Sequence, residues 1–488
     1  MLKVHNSASR KLEEFAPREP GRVRMYVCGL TVYNDMHLGH ARSYVAFDAM
    51  RRWLEHSGYA VEHVQNHTDV DDKIIARAVE EGVTPADLAE RYIERTSADL
   101  GALGVRPPHQ MPRATDYVEQ MVALVADLLV KGHAYVAPAA EGALAPDVYF
   151  DVPSASEQFG TLTGQSLEEL EAGARVAVDP RKRNPADFAL WKGAREGEPS
   201  WESPWGLGRP GWHIECSAMS LALLGPQFDI HGGGSDLKFP HHESEILQTE
   251  CHTGKHPMVR YWLHTGFLTI DKEKMSKSLD NFFLVRDVLQ HSSAEVVRFY
   301  LLNGHYRSPI DFSDAALDEA AAAHDRLAAT LHRYRAASPQ GAAAGAAGDA
   351  AVAAPTGDGQ PEALRDAVAT ARADFTTAMD DDFNTREALA ALFGLAREAN
   401  RHAPESLAPE LRDAVVSTFE ELGGEVLGLF TPREAAGPSD AEIKALLAQR
   451  EAARAAKEWA EADRIRDELA EQGVEVQDTP DGARWRRV

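Results

Sequence analysis

Val23-Arg-Met-Tyr-Val-Cys28, followed after the short stretch from Gly29 to Met36 by His37-Leu-Gly-His40, decides the fold of this 488-residue chain. The first run is apolar and β-branched enough to read as a buried parallel strand. After it, Leu38, Ala41, Val45, Ala49, Met50, Trp53 and Leu54 recur at helical spacing, so a helix starts at the histidines. A strand, a tight loop and a helix start is the arrangement in which open α/β sheets bind nucleotides at the carboxyl ends of their strands. The helix start offers unpaired N–H groups and a partial positive charge to phosphate. Two imidazoles there can donate to oxygens whose charge grows in a transition state.

A second run, Lys274-Met-Ser-Lys-Ser278, follows the strand-like Trp262-Leu-His-Thr-Gly-Phe-Leu-Thr-Ile270 and is expected in a loop. Lysines three apart, with hydroxyls between, suit a triphosphate. Separately each motif is short enough to be a helix cap or a solvated loop. In this order and context they resemble the paired ATP signatures of class I aminoacyl-tRNA synthetases.

Composition narrows the class. At 488 residues several domains are expected, and 44% hydrophobic with 26% charged residues is ordinary for globular enzymes. No stretch approaches the ~20 apolar residues of a membrane span, and the opening Met-Leu-Lys-Val-His-Asn lacks the apolar core of a signal peptide. Three cysteines (Cys28, Cys216, Cys251) make no disulfide framework and point to a reducing, cytoplasmic setting. The net charge of −25 disfavours indiscriminate nucleic-acid binding, so RNA contact needs a local basic stripe. Arg181-Lys-Arg183 and Arg484-Trp-Arg-Arg487 are the candidates.

Along the chain, strand-like and helical runs alternate over 1–120 and resume over 206–256, a Rossmann-like parallel-sheet unit. Residues 121–205 read as a connective insertion with a strand at 148–152. Residues 257–320 carry the lysine run, and 321–435 read as a helical bundle. Within it, 336–361 is Ala-, Gly- and Pro-rich with almost no large apolar residue, as in a disordered insertion. A small mixed α/β unit occupies 436–488. The fold class is therefore α/β with an insertion, a helical bundle and a small C-terminal domain.

Cys28 lies at the strand end, Cys216 closes Trp212-His-Ile-Glu-Cys216, and His241 and Glu245 are four apart in a helix expected to begin near Pro240. Two thiols, an imidazole and a carboxylate make a sensible zinc shell. Spacing alone leaves buried structural cysteines open as the other reading.

Tyr26-Val-Cys-Gly-Leu-Thr-Val-Tyr-Asn-Asp35, Gln65-Asn-His-Thr-Asp-Val-Asp-Asp-Lys-Ile74, Arg209-Pro-Gly-Trp-His-Ile-Glu-Cys-Ser217 and Phe228-Asp-Ile-His-Gly-Gly-Gly-Ser-Asp236 resemble the cysteinyl-tRNA synthetase family, over nearly the whole chain. The resemblance implies a cysteine–tRNA ligase that uses ATP with Mg²⁺ and carries one zinc ion on Cys28, Cys216, His241 and Glu245. It implies an amino-acid pocket of Gly29, Thr68, Trp212, His231 and Asp236, ATP handled by His37, His40, Lys274 and Lys277, and an anticodon of tRNA(Cys) read by Arg454, Trp459, Asp463 and Asp478. L-cysteine, ATP and tRNA(Cys) are the expected partners, with no membrane, and a monomer is the default. Leu38 stands where the family usually has isoleucine, and His67 where an apolar residue is common. A cysteine:amino-sugar ligase would share the zinc and ATP motifs but lack the C-terminal unit. A short nucleotidyltransferase would lack the cysteine-pocket runs, and a non-catalytic tRNA binder would not keep these motifs intact.

Overall fold

The computed structural model describes residues 1–169, 179–270, 273–274, 282–337, 360–430, 440–455, 458–471, 474–479 and 482–487. Its centre is a four-stranded, all-parallel sheet. The strands are β1 (Arg22–Val27), β2 (Ala60–Gln65), β3 (Phe228–Gly234) and β4 (Val259–Thr265), in the order β4-β3-β1-β2. Val23, Met25, Tyr26 and Val27 are buried, as a strand covered on both faces requires. Tyr26 pairs with His231 and Val64, which fixes where the residues after each strand emerge.

Helix α1 (Leu38–His56) leaves β1 after the short loop and is buried on nearly every side. Helices α2 (Trp212–Leu224) and α3 (Glu243–Thr253) flank β3, and α4 (Ala294–Leu302) lies against α1. The helix around His241 and Glu245 starts later than the sequence spacing suggests. Residues Lys238–His242 form a wide turn, with Phe239 extended (φ −140°, ψ 135°), and regular helix begins at Glu243. Lys274 falls in a two-residue strand, Glu273–Lys274, antiparallel to β5 (Leu268–Ile270), rather than in a loop. Lys277 lies outside the described residues.

Between β2 and α2 come helices Asp72–Glu81, Pro85–Ala102 and Val118–Val130, then an antiparallel sheet of Ala134–Ala137, Asp147–Phe150, Phe188–Gly193 and Gly208–Pro210. The expected insertion 121–205 thus opens inside a helix and stops short of the last strand. Burial marks no seam there: Met121, Leu124 and Trp191 share one apolar core with Tyr26 and Ile214. Arg181 is not part of a free basic stripe, because Asp147 and Asp179 hold its guanidinium, each at 2.5 Å.

Beyond α4, helices Asp314–Ala337, Gln360–Asp380, Thr385–Ala399 and Pro409–Thr418 form the bundle. The edges of the Ala/Gly-rich run are helical at 336–337 and 360–361, and 338–359 lies outside the described residues. The C-terminal unit is a helix pair, Asp440–Ala455 and Trp459–Glu471, plus the hairpin Val474–Thr479 with Gly482–Arg487. Its own small core contains Ile443, Leu447, Ile465 and Leu469. The side chains of the 484–487 run lie outside those described. No described helix is long and apolar enough to cross a membrane.

One buried ion cluster locks α1 to the bundle. Asp48 on α1 accepts from Arg52 Nε at 2.8 Å, from the Arg106 amide at 3.0 Å and from Arg298 on α4. Arg298 also donates to the Leu427 carbonyl at 2.6 Å, and Arg52 to the Glu425 carbonyl at 3.1 Å. Burial pushes the Asp48 carboxyl up, but Arg298, Arg52 and the Arg106 amide outweigh it and hold it below its ordinary range. A depressed carboxyl contributes stability above its unfolded pKa near ~4 and loses it as pH falls through the folded value. Asp48→Ala should destabilise the protein by about 3–5 kcal/mol near neutral pH, because two buried guanidinium groups lose their partner. Melting curves should show the gap to the native chain shrinking below about pH 4; a gap independent of pH contradicts the charge account.

Candidate active site and metal cluster

The loop after β1, the start of α1 and the loop after β3 face one another across a cavity of about 380 Å³. His37 is the N-cap of α1: its Nδ1 accepts the His40 amide at 3.3 Å, which puts the ring proton on Nε2. The two imidazoles stack with centroids 3.5 Å apart. Gly39 permits this, since a Cβ there would lie 3.0 Å from the His37 ring. His37, His40, Cys28, Gly29, Trp212 and Asp236 all line the cavity. An anion placed there meets a helix N-terminus and two imidazoles at once.

Behind Cys28, which lines the cavity, ligand atoms of Cys28, Cys216, His241 and Glu245 lie within 4.8 Å of one another. The two Sγ atoms are 3.7 Å apart, Cys28 Sγ is 3.6 Å from Glu245 Oε1, and His241 Nε2 is 3.2 Å from the same oxygen. Three elements bring them together: Cys28 ends β1, Cys216 sits on α2, and His241 and Glu245 span the turn into α3. Burial pushes both thiols up, Cys28 well above its ordinary value, so without a cation both hold their protons at neutral pH. Burial also drives His241 and His242 well below their ordinary range, so neither supplies compensating charge. Two thiols, an imidazole and a carboxylate packed this closely fit a divalent ion with affinity for sulfur.

A second group shares two of these ligands: Cys28, His231, His242 and Glu245. Its histidines already have partners. His231 Nε2 lies 2.9 Å from Glu245 Oε2, and His242 Nε2 lies 3.3 Å from Cys28 Sγ. They are arranged as the outer hydrogen-bonding layer that aims metal ligands.

Of the five residues expected around the amino acid, Gly29, Trp212 and Asp236 line the cavity, whereas Thr68 and His231 sit behind it. The Gly29 amide donates to Asn66 Oδ1 at 2.8 Å, and a Cβ at Gly29 would fall 1.5 Å from the Asn66 carbonyl oxygen, so only glycine fits. Thr68 Oγ1 donates to the buried Glu215 Oε2 at 2.8 Å and accepts from Asn66 Nδ2 at 3.4 Å. Trp212 stacks on His241, joining the cavity wall to the cluster. His67 is buried beside Thr68 and burial lowers it to about 4, so it behaves as a neutral filler where an apolar residue was expected.

The four expected anticodon residues lie in the C-terminal unit. Arg454 is exposed near the end of the first helix, and Trp459, 59% exposed, opens the second rather than packing in a core. Asp463 pairs with Arg466 at 3.2 Å, and Asp478 lies on the hairpin, its side chain outside those described.

Asn66, Glu215 and His242 escaped the sequence reading although each adjoins a residue that it singled out. His242 stands three residues before Glu245, on the same side of the turn into α3, and its Nε2 lies 3.3 Å from Cys28 Sγ, a partner 214 residues away in sequence.

Comparison with known proteins gives the same picture. Residues 14–322 match the model of the class I (C) tRNA synthetase catalytic domain, 374–431 the DALR domain, and 438–486 the cysteinyl-tRNA ligase anticodon binding domain. The cysteine–tRNA ligase of Heliobacterium modesticaldum is 51% identical and that of Halorhodospira halophila 50%, each covering 100% of both chains. Among solved structures, Mycobacterium tuberculosis methionyl-tRNA synthetase in complex with methionyl-adenylate aligns with a TM-score of 0.60 at 16% identity, covering 86% of this chain and 95% of that one. The ternary complex of Agrobacterium radiobacter K84 agnB2 LeuRS with tRNA and LeuAMS gives 0.59 at 13% identity, covering 84% and 85%. A parallel sheet followed by a helix that opens on paired histidines, a cavity lined by Cys28 with Cys216 behind it, and full-length identity near one half lead to one conclusion: the chain belongs to the cysteine–tRNA ligase family of class I aminoacyl-tRNA synthetases.

Proposed function

We propose that this chain activates L-cysteine with Mg²⁺-bound ATP and transfers it to the 3′ end of tRNA(Cys), choosing cysteine over serine through a zinc ion held by Cys28, Cys216, His241 and Glu245. The observation that carries this reading is the buried two-thiol cluster that reaches, through Cys28, the cavity lined by His37 and His40. Bound there, zinc supplies Lewis acidity and a preference for sulfur over a hydroxyl oxygen. Size alone separates serine from cysteine poorly, because they differ by one atom.

The chain's own groups do the rest by positioning and charge. Asp236, Trp212 and the backbone at Gly29 hold the amino acid, with Thr68 oriented by Glu215 and His231 fixing Glu245. The substrate carboxylate then attacks the α-phosphorus of ATP and pyrophosphate leaves. Imidazole N–H groups of His37 and His40 donate to the phosphate oxygens, together with the ammonium groups of Lys274 and Lys277. Little covalent chemistry falls to the protein, so alignment sets the rate. The terminal ribose hydroxyl of the tRNA attacks the acyl carbon and releases AMP. Exposed Trp459 suits stacking on an unpaired anticodon base, and Arg454 suits hydrogen bonding to a base edge. All three cysteines are free thiols, in keeping with a reducing cytoplasm.

Cysteine-dependent pyrophosphate exchange and charging of tRNA(Cys) test the reading directly. Lys277→Ala should lower exchange on the order of 10²-fold or more while cysteine affinity changes little; unchanged exchange removes this lysine from the mechanism. Cys216→Ser should lose zinc and cysteine activation together and keep ATP binding, and a chelator should reproduce it; a metal-free variant that still selects cysteine over serine refutes the zinc reading. Removing 436–488, a unit with its own core, should leave exchange near the full-chain level and abolish efficient charging. A truncated protein that charges tRNA normally rules out anticodon reading there.

A further inference from the structure

Arg42 follows His40 by two residues on α1 and is 1% exposed, yet no carboxylate meets it among the described residues. The other fully buried arginine, Arg298, lies against Asp48. The Arg42 guanidinium instead donates to four backbone carbonyls: Phe267 at 2.5 Å, Ser308, His305 at 3.3 Å and Tyr306 at 3.4 Å. Burial lowers it to about 10, so it stays charged at neutral pH. A charge placed where no opposite charge meets it is expensive, and its partners show what it holds.

Those carbonyls belong to two crossing segments. Phe267 precedes β5, the strand that leads into the lysine run, and residues 305–308 lead into Ile310–Asp311, which pairs with β5. The crossing is tight: the Gly266 amide donates to Tyr306 at 2.8 Å, and a Cβ on Gly266 would fall 2.6 Å from the Arg307 carbonyl oxygen. Beside Arg42, Ser43 Oγ lies 2.6 Å from Thr265 Oγ1. The far flank of the lysine run is fastened to the same turn of α1 by main chain: the Leu38 amide donates to Phe283 at 3.0 Å, and the Val285 amide to Met36 at 3.0 Å. Both flanks of 271–281 are therefore tied to the turn that carries His37 and His40. The exit tie is backbone on backbone, whereas the entry tie runs through two side chains of α1, Arg42 and Ser43.

We infer that Arg42 is a positioning residue for phosphate activation: its forked guanidinium, bridging Phe267 and the 305–308 segment, sets where the lysine run enters relative to His37 and His40. The inference rests on the reading that Lys274 and Lys277 act on ATP phosphates. Lysine cannot replace arginine here, because one ammonium lacks the planar fork that spans both segments.

The test is a double-mutant cycle in the full-length protein, read by cysteine-dependent pyrophosphate exchange, with zinc content, the KM for cysteine and the melting temperature measured on every variant. Arg42→Lys should keep zinc and the cysteine KM and lose exchange kcat on the order of 10²-fold, as a displaced catalytic group does. In a Lys277→Ala background the same change should cost at least several-fold less than it does alone, since only Lys274 is then left to misplace. Arg298→Lys, a buried arginine away from this crossing, should combine additively with Lys277→Ala. Ser43→Ala removes only the neighbouring tie, and its few-fold loss should likewise shrink with Lys277→Ala, which keeps the test open should Arg42→Lys fold poorly. Losses from both Arg42→Lys and Ser43→Ala that persist undiminished beside Lys277→Ala overturn the role of Arg42 and leave the lysine reading standing. A Lys277→Ala protein with native exchange overturns the lysine reading itself, and the inference falls with it.

Discussion

Two thiols and a carboxylate are buried within a few ångströms of one another with no protein cation among them, and this sets the terms for the rest of the molecule. Glu245 has no exposed surface, and Cys28 and Cys216 almost none. Five buried histidines crowd the same region: His213, His231, His241, His242 and His264. Burial keeps His241, His242 and His264 well below their ordinary range and His213 down at about 3. Without a cation both thiols keep their protons, and a divalent ion bound there would let them ionise. The elements that surround the cluster hold it firm. Glu243, two residues before Glu245, accepts four consecutive amides from Gly160 to Thr163, and so pins the insertion to the ligand-bearing turn.

Nucleotide chemistry is built on the same strand end. One residue past β1 lies Cys28, and nine further on comes His37, so the thiol cluster and the paired histidines share a single backbone path across the cavity. Helix α1 carries that path outward. Its first turn holds the flanks of the lysine run through Arg42, Met36 and Leu38, and its middle holds the bundle through Asp48. A helix so thoroughly buried acts as the axle of the catalytic unit, and its polar residues are fixed contacts rather than solvated surface.

Much of this was legible in the sequence because it depends on local pattern. The β1–loop–α1 unit follows from an apolar run and helical spacing. The four metal-ligand candidates were found through a family resemblance, since Cys28 and Cys216 are 188 residues apart and only the parallel register of β1 and β3 brings their elements together. What stayed hidden depends on partners distant in sequence. His242 needed Cys28, 214 residues away, Glu215 needed Thr68, and Arg42 needed carbonyls more than 220 residues away. An arginine in an amphipathic pattern reads as solvated; only tertiary packing reveals it as a strut. Apolar packing continues from the sheet into the helix Val118–Val130, so burial marks no seam at the expected start of the insertion.

The two overlapping ligand groups differ in one countable property, the number of sulfur atoms. X-ray absorption at the zinc edge of the purified, substrate-free protein counts them. The account predicts one zinc per chain with two sulfur neighbours at about 2.3 Å and two nitrogen or oxygen neighbours at about 2.0–2.2 Å, from Cys28, Cys216, His241 and Glu245. A shell with one sulfur would place the ion among Cys28, His231, His242 and Glu245, and protein free of zinc or a shell without sulfur would contradict the metal centre outright.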